Sequence, residues 1–248
     1  MLAREALAAY KQLAPENDHS IAACYARIGT IHADRGEHDE AVRELQEAVR
    51  IDQSIYPSDH IGLAHPMARL ASSLQEVGRF DEAKTVISEL VDRLQKNFEP
   101  SDVRTIESNR ILVNTLTKFG RFEEADKLSE SGLQASLEID GAESGRAIDC
   151  MYARGVVLRG LNRLDAASDI FRRAFDISLK RSGPAGVGTT KLATDLAFTL
   201  RMQGRYREAL DVCNPMIDAL NRESPPDPLL PNLLRSAADA HAKTWGVC

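Results

Sequence analysis

Aromatic residues are scarce in this chain: one Trp, five Tyr and seven Phe make up 5 % of 248 residues. A core built on stacked rings is therefore excluded, and burial falls to alanine and leucine, which favour helices. Cysteine is sparse as well. Cys24, Cys150, Cys213 and Cys248 stand far apart, with no C-x-x-C and no Cys/His spacing suited to zinc. That excludes a disulfide framework and a zinc module, and the first three read as small apolar helix residues. Free thiols point to a reducing compartment, so a cytoplasmic location is expected. There is no excess of positive charge: 31 Lys and Arg against 37 Asp and Glu give −6 and a pI near 5.6. A global basic field that would hold nucleic acid is absent, and the acidic balance speaks mainly to solubility. No run approaches the ~18 apolar residues of a membrane span. Met1–Glu5 carries charge where a secretory leader needs an apolar stretch. Neither nucleic acid nor membrane is expected as a partner.

Motifs for chemistry are lacking too. The six histidines form no H-E-x-x-H or comparable ligand pattern. His32 stands where leucine recurs elsewhere and reads as a packed residue, while His60 and His65 flank a helix start and read as capping or surface groups. The stretch Gly183-Pro184-Ala185-Gly186-Val187-Gly188 is glycine-rich but lacks the Lys-Ser/Thr ending and the preceding strand of a phosphate loop, so it reads as a connector. No G-x-S-x-G occurs. The expectation is no enzyme activity, no cofactor and no metal.

What is present is a period. Gly36, Gly78, Gly120 and Gly204 stand at spacings of 42, 42 and 84, and the missing member falls on Asn162. Asparagine is the next-best residue for a left-handed turn. Five residues after each turn stands an alanine: Ala41, Ala83, Ala125, Ala167 and Ala209. Seven before it stands a mostly small set, Gly29, Ala71, Val113, Gly155 and Ala197. Eight before it, Ile28, Leu70, Leu112 and Leu196 are large and apolar, with Arg154 the exception; four before it come His32, Leu74, Leu116, Leu158 and Leu200. Nine after it, Leu45, Ile87, Phe171 and Cys213 are joined by the odd Ser129. These spacings put large and small residues on one helical face on each side of a turn. The pairs Asp39-Glu40, Asp81-Glu82 and Glu123-Glu124 open the second helices, where negative charge suits the helix dipole.

The pattern resembles the tetratricopeptide repeat (TPR): bulky, large, small, large, turn, then alanine and an apolar residue. The usual repeat has about 34 residues and a proline at the hairpin exit. Here the period is 42 and that proline is missing. The longer period, with phrases such as Leu70 to Ala83, is similar to kinesin-light-chain repeats. The resemblance implies an all-α, right-handed TPR-type superhelical solenoid of about twelve antiparallel helices, with both helices of each hairpin about a turn longer than usual.

The frame divides 1–248 as one array. A second helix of a preceding repeat covers 1–15, five repeats cover 18–56, 59–98, 101–140, 143–182 and 186–223, and the first helix of a sixth repeat, or a cap, covers 228–246. Loops are expected near Pro57-Ser58-Asp59, Pro100-Ser101-Asp102, Asp140-Gly141 and Gly183-Pro184, and Pro225-Pro226-Asp227-Pro228 reads as a stiff connector. Both ends fall in mid-hairpin, which suggests a segment of a longer array; natural caps are the alternative.

By the resemblance, the first helix of each hairpin lines a concave binding surface. Its accessible stripe is expected 13, 10, 6 and 3 residues before the turn. The third to fifth hairpins then present Glu107, Arg110, Asn114 and Thr117; Asp149, Tyr152, Val156 and Arg159; and Lys191, Thr194, Phe198 and Arg201. The sixth helix presents Leu233, Ser236, Ala240 and Lys243. Over all copies the stripe carries Arg110, Arg159, Lys191, Arg201 and Lys243 against Glu107 and Asp149, a net +3 on a chain of −6. Arg159, Arg201 and Lys243 share one repeat position and are expected to form a ladder beside Tyr152 and Phe198. Arg27 and Arg69 form a second 42-spaced pair one residue off the stripe, groove or ordinary surface. The candidate peptide-binding residues are therefore Arg110, Asn114, Tyr152, Arg159, Lys191, Phe198, Arg201 and Lys243. Arginine suits carboxylates and asparagine suits backbone amides, so the expected partner is a protein or peptide of acidic and apolar character. The expected role is an interaction scaffold or adaptor. The alternative is a regulatory or sensory segment of a larger signalling protein, and self-association through the open array ends is a third route to contact.

Overall fold

The computed structural model describes residues 2–13, 18–56, 61–95, 103–221 and 230–245. The loops expected at 57–59 and 100–102, His60, the connector 225–228, Gly246 and Cys248 lie outside the described residues. Among those described there are twelve α-helices and no strand. The chain forms two compact units, Met1–Phe119 and Gly120–Cys248.

The first unit contains α1 (Leu2–Leu13), α2 (His19–Asp34), α3 (His38–Ile55), a 3-10 turn at Ile61–Leu63, α4 (Ala64–Glu76), α5 (Phe80–Gln95) and α6 (Val103–Lys118). The second contains α7 (Phe122–Asp140), α8 (Gly145–Gly160), α9 (Leu164–Ser182), α10 (Val187–Met202), α11 (Tyr206–Leu220) and α12 (Leu230–Trp245). Asp18 caps α2 through the Ser20 amide at 2.7 Å, and Ser144 caps α8 through the Ala147 amide at 3.0 Å.

Within each hairpin the turn is set by backbone sterics. Gly36, Gly78, Gly120 and Gly204 have φ of 78°, 79°, 70° and 75°. Asn162, at φ 58°, is the only non-glycine with positive φ among the described residues, in the phase the period assigns it. The residue after the turn donates its amide five residues back, as in Arg79 to Leu74 (2.8 Å), Arg163 to Leu158 (2.9 Å) and Arg205 to Leu200 (2.9 Å), which closes a Schellman ending. Each of those arginines then clamps a carboxylate three residues on where one is present: Arg79 to Glu82, Arg121 to Glu124 and Arg205 to Glu208. Ala166 breaks that pattern, and Arg163 reaches back to Asp126 at 3.0 Å instead.

The alanines five residues after the turn, Ala41, Ala83, Ala125, Ala167 and Ala209, are all 0 % exposed. The small residue before the turn lets the two helices of a hairpin close. A Cβ on Gly29 would lie 2.7 Å from Leu45 Cγ, and one on Gly155 would lie 2.5 Å from the Phe171 ring. The second unit buries Met151, Phe171, Leu196, Leu200, Met216 and Leu233 together, and the first buries Ile21, Leu45, Met67, Leu74, Ile87 and Leu112. Each large side chain so removed from water contributes on the order of 1.5–3 kcal/mol. Cys150 and Cys213 are buried thiols outside any disulfide, and Cys24 is half-buried. His32 is 13 % exposed and pairs with Glu37.

The two breaks in the pattern, Arg154 and Ser129, explain each other. Arg154 is 12 % exposed, and its Nη1 donates to Ser129 Oγ at 2.9 Å, to the Asp126 carbonyl at 2.8 Å and to the Asp126 carboxylate. A polar bridge thus replaces an apolar contact between α7 and α8.

Candidate functional site

The first helices of the second unit, α8, α10 and α12, carry six of the eight candidate residues. On α8, the Tyr152 hydroxyl donates to Asp195 Oδ2 at 3.0 Å, and its ring lies 5.9 Å from Phe171, centroid to centroid. Burial, and then the Asp195 carboxylate, push this phenol far above its usual range, so it stays a neutral donor. Lys191 Nζ sits 4.0 Å from the Tyr152 ring centroid. Arg159 lies with its guanidinium carbon 5.4 Å from the Phe171 ring centroid and 5.2 Å from that of Phe198, and the guanidinium carbon of Arg201 lies 6.0 Å from the Phe198 centroid. Phe198 itself is 44 % exposed. A ring within reach of two guanidinium groups and left open to solvent marks this face.

The arginines are not open cations. Arg159 Nη1 pairs with Asp195 Oδ1 at 2.7 Å, and Arg201 pairs with Asp239, each on the next first helix. The sequence reading missed both carboxylates because it considered only the four stripe positions. Asp195 stands nine residues before its turn, one residue off the stripe. The signal was available as an Arg followed 36 or 38 residues later by Asp.

The sixth helix corrects the expected stripe and ladder. Leu233, Ser236 and Ala240, expected on the accessible stripe, are 0 %, 5 % and 0 % exposed. The buried face of α12 is Leu233, Ser236, Ala237 and Ala240, which matches Thr189, Leu192, Ala193 and Leu196 of α10 at an offset of 44 rather than 42. Asp239 likewise stands 44 residues after Asp195 and takes the same arginine partner one hairpin on. Lys243 therefore does not continue the Arg159–Arg201 position. It lines, with Phe198, Arg201, Met202, Tyr206, Asp239 and Ala242, a pocket of about 320 Å³. Met202 is 48 % exposed at its rim.

Arg110 and Asn114 belong to the first unit. They line a separate cleft of about 210 Å³ between α4 and α6, with His65, Arg69 and Lys118 among its other walls. Arg110 makes a two-pronged contact to Glu107, Nε to Oε2 at 2.9 Å and Nη2 to Oε1 at 2.5 Å. That hydrogen bonding holds the Glu107 carboxyl below its ordinary pKa. Arg69, left open by the sequence, faces this cleft and meets Asp34 at 3.1 Å. His65 lies 3.5 Å from Glu107 and is largely exposed.

No group of three or more His, Cys, Asp or Glu side chains arranged to hold a metal occurs among the described residues. No helix among them is long and apolar enough to cross a membrane.

Both units are thus stacks of α-hairpins in which the accessible chemistry lies on the first helices. Residues 20–96 match the family described as tetratricopeptide repeat. Solved structures carry the likeness over most of the chain. The kinesin light chain nearly identical TPR-like repeats of Podosopora anserina superpose with a TM-score of 0.62 at 17 % identity, covering 89 % of this chain and 95 % of that one. BtubC (BKLC) from P. vanneervenii gives 0.56 at 16 % identity and 86 % of each chain. MamA from Desulfovibrio magneticus RS-1 gives 0.52 at 17 % identity, covering 82 % and 97 %. No curated protein matches significantly. The family match thus covers the hairpins of residues 20–96, and over most of the chain the fold is that of kinesin-light-chain-like repeat arrays.

Proposed function

We propose that this chain is a protein-interaction module that holds a segment of another protein on the first-helix face of its second unit, and that the segment carries acidic and apolar side chains. The observation that supports this most is Phe198. A large ring left 44 % exposed near two guanidinium groups, in the wall of a pocket of about 320 Å³, is an anchor for an apolar side chain. With Arg159 and Arg201 neutralised by Asp195 and Asp239, the preference for acidic groups falls to Lys191 and Lys243. The likeness of fold to other TPR arrays is consistent with a scaffold or adaptor role.

The test is retention of a degenerate pool of peptides built from Asp, Glu, Leu, Met and Phe on the immobilised full chain. Phe198→Ala should reduce retention about tenfold or more, in keeping with a buried aromatic anchor worth ≥ 2 kcal/mol, while its melting temperature changes little. Lys191→Glu with Lys243→Glu should shift the retained sequences away from acidic ones. Unchanged retention by both variants would remove the assignment. Reversing Arg159 and Arg201 is the poorer test, because it also breaks two contacts within the fold.

A further inference from the structure

The geometry points to a second, separate binding site in the cleft between α4 and α6 of the first unit, one that reads a phosphomonoester carried on a polypeptide, such as a phosphoserine. Three cations converge there: Arg69 from α4, and Arg110 and Lys118 from α6. Asn114 adds an amide, and His65 stands at the rim. The cleft, about 210 Å³, accommodates one side-chain head group rather than a length of chain.

The choice of phosphate over carboxylate follows from what the cations already hold. Arg110 lies against Glu107 and Arg69 against Asp34, and both carboxylates are well exposed, 41 % and 62 %. An acidic side chain of a partner would exchange one carboxylate for another and gain little. Exposed ion pairs of this kind are weak and readily displaced. A phosphomonoester carries up to two charges and three acceptor oxygens, enough to engage two guanidinium forks and an ammonium at once. It therefore outcompetes Glu107 and Asp34 where a carboxylate does not. Two residues before the turn the other hairpins carry Asp34, Glu76, Gly160 and Met202, so the added cation at Lys118 is particular to this cleft.

The experiment uses the full chain and three degenerate peptide pools identical but for one fixed position: phosphoserine, serine or glutamate. Binding is followed by fluorescence anisotropy. The phosphoserine pool should bind at least tenfold tighter than the glutamate pool, with a marked loss on raising the salt. Lys118→Gln, at an exposed position, should lower phosphoserine binding several-fold, and Arg69→Gln with Arg110→Gln should abolish the preference. Equal binding of phosphoserine and glutamate pools overturns the inference, as does an unchanged preference in Lys118→Gln together with the double variant. Capture of phosphoinositide-containing vesicles without any preference for the phosphopeptides would overturn the polypeptide assignment. The site stands apart from the one in the second unit: Phe198→Ala should leave phosphoserine selectivity intact, and Arg69→Gln with Arg110→Gln should leave retention of the acidic and apolar pool intact. Either reading can thus fail alone.

Discussion

At the scale of single residues, the helical turn and the close approach of helices set the demands most sharply. Asn162 occupies a left-handed conformation at φ 58° that four glycines fill elsewhere. Asn162→Gly should alter stability by only a few tenths of a kcal/mol, whereas Asn162→Val should cost about 1–2 kcal/mol, because a side chain branched at Cβ clashes there. Urea midpoints of the two variants check this, and equal midpoints would refute it. Gly155 faces a different demand, the Phe171 ring 2.5 Å from any added Cβ. Gly155→Ala should lose about 1–3 kcal/mol by overpacking, and Phe171→Leu in the same chain should recover part of it. Cys213 shows what burial does to a thiol. Its pKa is pushed up to about 11, chiefly by desolvation, so the reactive thiolate is disfavoured. At pH 8 a maleimide reagent should label half-buried Cys24 well before Cys213. The turn at Asn162 was legible in the sequence, since a period of 42 leaves one slot to fill. The tightness at Gly155 was legible only as smallness, because its partner lies on the other helix.

At the scale of helices and the joints between them, local rules and contact rules diverge. By the repeat pattern Arg154 is a defect, and Arg154→Leu restores the majority residue. The structure implies the reverse: that change leaves Asp126 21 % exposed, at a helix joint and without its main partner. Because the bridge is only partly shielded from solvent, the expected loss is about 1–3 kcal/mol. Arg154→Leu combined with Ser129→Leu and Asp126→Val should recover it. If Arg154→Leu alone raises the melting temperature, the bridge is dispensable. The arginine–glutamate clamps at the helix starts behave differently, being exposed. The Arg hydrogen bonds lower the pKa of Glu82, Glu124 and Glu208 below the unfolded value. Their stabilisation is therefore present above the unfolded carboxylate range and lost as pH falls through the lowered folded values. A triple variant, Glu82→Gln, Glu124→Gln and Glu208→Gln, should show a shallower decline in melting temperature below about pH 4, where glutamate ordinarily titrates.

At the scale of the whole molecule, what could be read in the sequence was whatever recurs. The turns, the buried alanines and the helical faces follow from the 42-residue frame. The candidate site was legible as a set of residues on first helices but not as a charge pattern. Asp195 and Asp239 sit one residue off the stripe, and only three-dimensional packing brings them to Arg159 and Arg201. The frame also failed where its period changes. The α12 helix follows an offset of 44, so counting in steps of 42 placed Leu233 and Ala240 on the accessible face when both are fully buried. A change of two residues rotates a helix by about 200° at 3.6 residues per turn, so the two readings predict opposite outcomes for one substitution. With the 42-residue phase Ala240 faces solvent, and Ala240→Glu is harmless. With the observed packing, Glu at 240 enters the core that Leu233 shares with Leu196, Cys213 and Met216, and burial of an unpaired carboxylate is strongly unfavourable. Ala240→Glu should therefore undock α12. Hydrogen exchange should rise across α12 and on the adjoining faces of α10 and α11, and Cys213 should become open to the maleimide that it resists in the parent chain. Unchanged exchange and labelling would return Ala240 to the surface and the sixth helix to the 42-residue frame.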